Sequence, residues 1–349
     1  MFFASDNWAG VHPGVAAALS DAAGGFDPAY GSGDRDRRAR ALFGKIFERD
    51  VSVHFVATGT AANVLSLTSV SRPGGIVFAH PEAHAITDEC GAYQFQAGGR
   101  LQGVPGPLGK MQGEALRTAI EAIPPGFVHA GQPAAVTITQ ATEAGTVYTL
   151  DEIDAISAIA RNHGLPVHMD GARFANALVS LGATPAEMTW KRGVDMLSFG
   201  GTKNGCWAAE AVVIFDPARA EQFGYFQMRA GQLFSKSRFV AAQFEAYFAD
   251  DLWLKSARHA NAMAGKLAKT LAASNTARLA WEPQANEIFA ILPRGKMQEM
   301  QTAGAQFYDW QAPADFDGHV AEDEALCRFV TSFATTDDHV AALSDLLRA

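Results

Sequence analysis

The residue most suited to chemistry is Lys203, set among small residues in Ser198-Phe199-Gly200-Gly201-Thr202-Lys203-Asn204-Gly205, directly after the apolar run Val194 to Phe199. A glycine-framed turn at a strand end holds a lysine on a stiff element and leaves room for a planar group beside its amine. That setting suits a Schiff base, although a lone lysine is more often a solvated surface residue. Two upstream stretches change the balance. Leu165-Pro166-Val167-His168-Met169-Asp170-Gly171-Ala172-Arg173 is a short apolar strand ending in an aspartate, a glycine and an arginine. Open α/β sheets bind ligands at the carboxyl ends of their strands. A carboxylate there can keep the ring nitrogen of pyridoxal phosphate protonated, the partner that cofactor requires. Phe55-Val56-Ala57-Thr58-Gly59-Thr60-Ala61-Ala62-Asn63 runs from a strand through Gly59-Thr60 into a helical stretch, so its free N–H groups form a phosphate seat.

The elements that must position these residues alternate between strand and helix. Strands are expected at residues 52–57, 74–79, 165–170, 194–199 and 211–215. Thr149-Leu150-Asp151-Glu152 is a capping box that opens a helix with Ile153, Ile156 and Ile159 on its buried face and Gly164 at its close. The pattern predicts a mostly parallel sheet covered on both faces. Beyond about residue 252 it becomes helix, two short strands (287–292 and 326–333) and a last helix. With 349 residues and 48% hydrophobic content the chain exceeds a usual single core. We therefore expect a large domain over 1–250, N-terminal segment included, and a small α+β domain over 251–349.

The net charge of −9 and the lack of basic runs argue against a nucleic-acid partner. No stretch has the length of a membrane span or a signal-peptide core, so a cytoplasmic protein is expected. Cys90, Cys206 and Cys327 are odd in number and widely spaced, which indicates neither disulfides nor a zinc site; all three are expected reduced and mostly buried. His80 and His84 have helical spacing for a metal, but Pro81 and the lack of a third ligand nearby argue against one.

In the order phosphate turn, aspartate, lysine, the motifs resemble the fold-type-I pyridoxal-phosphate enzymes, and among them the low-specificity L-threonine aldolases and phenylserine aldolases of the β-eliminating lyase superfamily. The resemblance runs from Ser5-Asp6-Asn7 through Tyr30-Gly31, His84 to Glu89, Asp170 to Arg173 and Lys203 to Arg328. It implies pyridoxal phosphate on Lys203, with Gly59, Thr60, His84, Asp170, Arg173 and Thr202 around it. His84 would stack on the ring, and could also move protons at the substrate's β-hydroxyl. Ser5, Arg173 and Arg328 would hold the substrate carboxylate. Tyr30 and Arg238 would be lent by a neighbouring subunit, Arg238 to the cofactor phosphate, with Lys236 and Arg229 as alternatives on the same stretch. Arg328 has a second reading as an internal ion pair, because an unpaired buried guanidinium is costly. One departure stands out: where many threonine aldolases carry a second active-site histidine, this chain has Thr142.

The resemblance implies reversible aldol cleavage of L-β-hydroxy-α-amino acids such as L-threonine, L-allo-threonine or phenylserine to glycine and an aldehyde, catalysed by Lys203, His84 and Asp170 without a metal. It also implies a homo-oligomer, a dimer of dimers with shared sites. The alternatives are a β-eliminating lyase or transaminase of the same fold, or a binding protein that keeps the fold without turnover. A nucleotide-binding dehydrogenase is disfavoured, since no G-x-G-x-x-G follows an early strand.

Overall fold

The computed structural model describes residues 1–314 and 316–348. Seven strands make the main sheet: β1 (Ser52–Val56), β2 (Ile76–Ala79), β3 (Arg100–Gly103), β4 (Pro133–Thr139), β5 (Val167–Gly171), β6 (Met196–Gly200) and β7 (Glu210–Ile214). Their spatial order is β1-β7-β6-β5-β4-β2-β3. Only β7 runs against its neighbours, pairing antiparallel with both β1 and β6. Strands β2, β5 and β6 are buried along their whole length and β4 along its middle, so β2 reads as a continuous apolar run rather than an alternating one.

Two helices of the main domain begin at side-chain caps that the sequence supplies. Thr149 accepts a hydrogen bond from the Glu152 N–H while the Glu152 carboxylate accepts one from the Thr149 N–H, and the helix Leu150–Asn162 follows. Thr58 Oγ1 accepts from the Ala61 N–H and starts the helix Gly59–Val70. A core of phenylalanines lies under the β6 turn: Phe199 packs edge-on against Phe43 with ring centroids 5.2 Å apart, and Phe174 and Phe244 close around it. Emptying that position by Phe199→Ala would cost about 3–5 kcal/mol.

A second sheet orders β8 (Arg278–Leu279), β9 (Glu287–Pro293), β10 (Tyr308–Trp310) and β11 (Glu324–Val330) as β10-β11-β9-β8, all antiparallel. Its core includes Phe3 from the far end of the chain, since Phe2 bridges Gln306 and the Val330 N–H donates to the Phe3 carbonyl. The first residues thus pack on the C-terminal sheet, and Ser5 and Asp6 enter the cleft between the sheets. The last strand stops at Val330, short of the expected 333, because the Ser332 N–H turns to Thr335 Oγ1. Cys206 and Cys327 are buried as expected, but Cys90 is exposed: it sits in a turn with φ of 52° just before a short helix. No helix among the described residues is long and apolar enough to cross a membrane, and no cluster of metal-ligating side chains occurs among them.

Candidate active site

Because β7 is reversed, it begins at the edge where its parallel neighbours end, and the loops after β1, β2, β4, β5 and β6 converge there with Glu210. Glycine lets two of these turns touch. A Cβ on Gly200 would lie 2.7 Å from the Ala172 carbonyl oxygen, so only glycine allows the β6 end to press against the Asp170–Arg173 turn. Gly205, with φ of 116°, then closes the short helix Thr202–Asn204 that carries Lys203. Asn204 anchors this turn through Nδ2, which donates to Tyr247 Oη at 2.7 Å and to the Trp253 carbonyl at 2.8 Å.

An inner cavity of about 300 Å³ at this edge is lined by Gly59, Thr60, Asn63, His84, Glu89, Asp170, Arg173, Thr202, Lys203 and Glu210, among others. Asp170 is fixed by two donors, Asn63 Nδ2 to Oδ2 at 2.7 Å and the Ala172 N–H to Oδ1 at 3.0 Å. His84 Nδ1 meets Glu89 Oε1 at 2.9 Å. That hydrogen bond outweighs burial and, with the nearby Asp170 and Glu89 charges, raises the His84 pKa above its ordinary value. The Lys203 amine has no hydrogen-bond or ion-pair partner among the described residues, and the Gly59 and Thr60 N–H groups have no acceptor. Beneath Asp170, burial pushes His168 down to about 4, so it stays neutral between Thr137 Oγ1 and Ser198 Oγ.

An outer cavity opens from this one and brings Ser5, Arg173 and Arg328 to the same Lys203 and His84, with Tyr308 and Trp310 as an aromatic wall. Its arginines are not free of partners. Arg173 forks onto Asp6, Nε to Oδ2 at 2.8 Å and Nη2 to Oδ1 at 3.0 Å, while its Nη1 lies 3.1 Å from Glu287 Oε2. Burial opposes the Asp6 charge, but Arg173, Lys203 and the hydrogen bonds from Arg173 and Asn286 hold its pKa below the ordinary value. Arg328 makes a looser pair, Nη1 to Glu287 Oε1 at 3.6 Å, donates from Nη2 to the Ala4 carbonyl at 3.4 Å, and lies 3.9 Å over the Trp310 ring. Its Nε is buried without an acceptor. Both readings of Arg328 are therefore present at once: it forms an internal pair and its side chain lines the outer cavity.

Ser5, Gly59, Thr60, His84, Asp170, Arg173, Thr202, Lys203 and Arg328 all line these cavities. Tyr30 and Arg238 do not. Tyr30 is exposed on its loop, its N–H bonded to the Ser235 carbonyl, and Arg238 reaches back to the Gly24 and Gly25 carbonyls. Thr142 lines neither cavity; its hydroxyl bonds Thr146 Oγ1 at 2.7 Å, and its neighbour Glu143 faces the site instead. Asn63, Glu143, Glu210 and Glu287 also line these cavities, and sequence reasoning did not single them out. Asn63 alone had a usable signal, as a polar residue on the first turn after the phosphate seat.

The family described as beta-eliminating lyase matches residues 3–292. Over 347 residues the chain is 40% identical to the low specificity L-threonine aldolase of Pseudomonas aeruginosa, covering 99% of this chain and 96% of that one. It is 39% identical over 348 residues to the low specificity L-threonine aldolase of a Pseudomonas species, with coverage of 99% and 97%. The solved structure of Leishmania major threonine aldolase matches with a TM-score of 0.91 at 30% identity, covering 99% of this chain and 98% of that chain.

Proposed function

The chain belongs to the beta-eliminating lyase family, and from that membership we propose that it is a pyridoxal-phosphate aldolase that splits L-β-hydroxy-α-amino acids into glycine and an aldehyde. The observation that carries this is the partnerless Lys203 amine sharing one cavity with the Asp170 carboxylate and the unused Gly59 and Thr60 N–H groups. Those three features fit an aldehyde, a pyridine nitrogen and a phosphate respectively. When bound, the cofactor supplies an electron sink for negative charge developing at the substrate's Cα.

The chain's own residues do the rest. Lys203 would hold the cofactor's aldehyde carbon, and Asp170 would keep the proton on the ring nitrogen. Gly59, Thr60 and Thr202 would seat the phosphate, and the His84 ring would cover one face and exclude water. Arg328 would grip the substrate carboxylate from the outer cavity, helped by Ser5 and by Arg173 from its pair with Asp6. The aromatic wall of Tyr308 and Trp310 suits an apolar β-substituent of the phenylserine kind. Tyr30 and Arg238, remote from their own cavity, would complete a neighbour's site in a dimer of dimers.

The test is a product balance on L-threonine, L-allo-threonine and phenylserine. Equal yields of glycine and the matching aldehyde support the proposal. Ammonia and a keto acid in their place would make the chain a β-eliminating enzyme.

A further inference from the structure

We propose that Glu143 is the base that takes the β-hydroxyl proton as the Cα–Cβ bond breaks, a role that rests on the aldolase reading above. Glu143 follows β4 and lines both the inner and the outer cavity, which places it where the two meet beside His84, Arg173 and Lys203. One of its oxygens is spoken for: Oε1 accepts the His84 backbone N–H at 2.7 Å, which fixes the carboxyl. The other, Oε2, is buried and has no hydrogen-bond partner among the described residues. A buried carboxyl oxygen left unpaired is costly unless something meets it there, and a substrate hydroxyl would do so.

The surrounding charges suit a base. Burial, reinforced by the Asp170 carboxylate, pushes the Glu143 carboxyl up to about 7 against the lowering pull of the His84 and Glu143 N–H groups and the His84 ring. Around it in the two cavities stand Arg173, Lys203 and Arg328 as cations, the His84 ring, and Glu82, Asp88, Glu89, Asp170, Glu210, Glu287 and Asp309 as acids. A base near the working pH combines a useful ionised fraction with a strong pull on the proton. His84 is placed less well for the task, since Glu89 occupies its Nδ1 and favours the protonated ring.

The step balances within the substrate. Glu143 Oε2 gains the hydroxyl proton, the O–H electron pair becomes the second bond of the aldehyde C=O, and the Cα–Cβ pair passes to Cα and the electron sink. Overall one proton leaves oxygen and one reaches Cα, so no oxidant or reductant is needed.

The test is Glu143→Gln, which keeps an oxygen for the His84 N–H but cannot take a proton. The holoenzyme is assayed for phenylserine cleavage, for cofactor absorbance and for exchange of the glycine α-hydrogen in D₂O, a reaction that involves no hydroxyl. We expect cleavage to fall about 10²–10⁴-fold, with absorbance and glycine exchange close to wild type. The wild type should show an acid limb of kcat/KM near neutrality, and this limb should vanish in the variant. Cleavage at the wild-type rate, a limb that persists in the variant, or an exchange rate that falls in step with cleavage would each overturn the assignment. Should the amide variant fail to take up cofactor, Glu143→Asp decides: it keeps a carboxyl set back by one methylene, so slowed cleavage with the acid limb retained supports the role, and undiminished cleavage overturns it. A wild-type protein that makes no glycine from any β-hydroxy amino acid would defeat the aldolase reading itself, and this role with it.

Discussion

Asn63 ties Asp170 to Glu89: its Nδ2 donates to Asp170 Oδ2 at 2.7 Å and to Glu89 Oε1 at 2.9 Å, and the same Oε1 meets His84 Nδ1. One amide on the helix behind the phosphate seat thus sets the aspartate and the histidine relative to each other. Asp170→Asn keeps the shape of this chain but removes the charge that favours a protonated ring nitrogen. Glycine release should fall by about 100-fold or more, with cofactor absorbance retained; release near the wild-type rate would show that Asp170 has no such role.

Asp6 and Arg173 form a buried pair, so Asp6→Asn should be strongly destabilising, by about 3–5 kcal/mol in denaturant unfolding of the holoenzyme. The pH dependence follows from the lowered Asp6 pKa. Its contribution is fully present above the ordinary carboxylate range, about pH 4, and is lost as pH falls through the folded value. The variant should therefore lose less stability than wild type on acidification. Equal acid slopes would place the acid sensitivity elsewhere.

Arg328→Lys should weaken glycine binding about tenfold to a hundredfold, as expected for one charge-assisted bond worth about 1.5–3 kcal/mol. An ammonium can reproduce neither a fork nor the planar stacking on Trp310. Unchanged affinity, read by titrating the cofactor absorbance with glycine, would leave Arg328 as an internal partner of Glu287 and the Ala4 carbonyl.

Much of this site was legible in the sequence because its parts sit at strand ends with local signatures: an Asp-Gly turn, a glycine-framed lysine and a Thr-Gly-Thr helix start. Glu287 was not, since an acid at the start of an apolar strand reads as a boundary; its partners Arg173 and Arg328 come from distant segments. Glu143 was hidden by a single residue of loop orientation. The sequence singles out Thr142, yet the turn closed by the Thr142–Thr146 bonds keeps that side chain out of both cavities. Cys90 misled because burial is the usual fate of a lone cysteine, while here a turn with positive φ holds it at the surface. In the fold, the alternation of strands and helices was plain, but the union of the first residues with the last sheet depends on contacts across more than 300 positions.

If sites are shared between subunits, Lys203→Ala and Arg238→Ala proteins, dissociated and reassociated together, should regain some activity, because a fraction of the mixed sites then carries both native residues. Mixed oligomers without recovery would assign Arg238 to its own subunit or to no site.

The central claim is that the chemistry is built on Lys203, and borohydride reduction of the purified holoenzyme followed by peptide mass mapping tests it most directly. The account predicts a pyridoxyl group on the peptide containing Lys203. A label on Lys191 or Lys236 instead, with Lys203 unmodified, would contradict it.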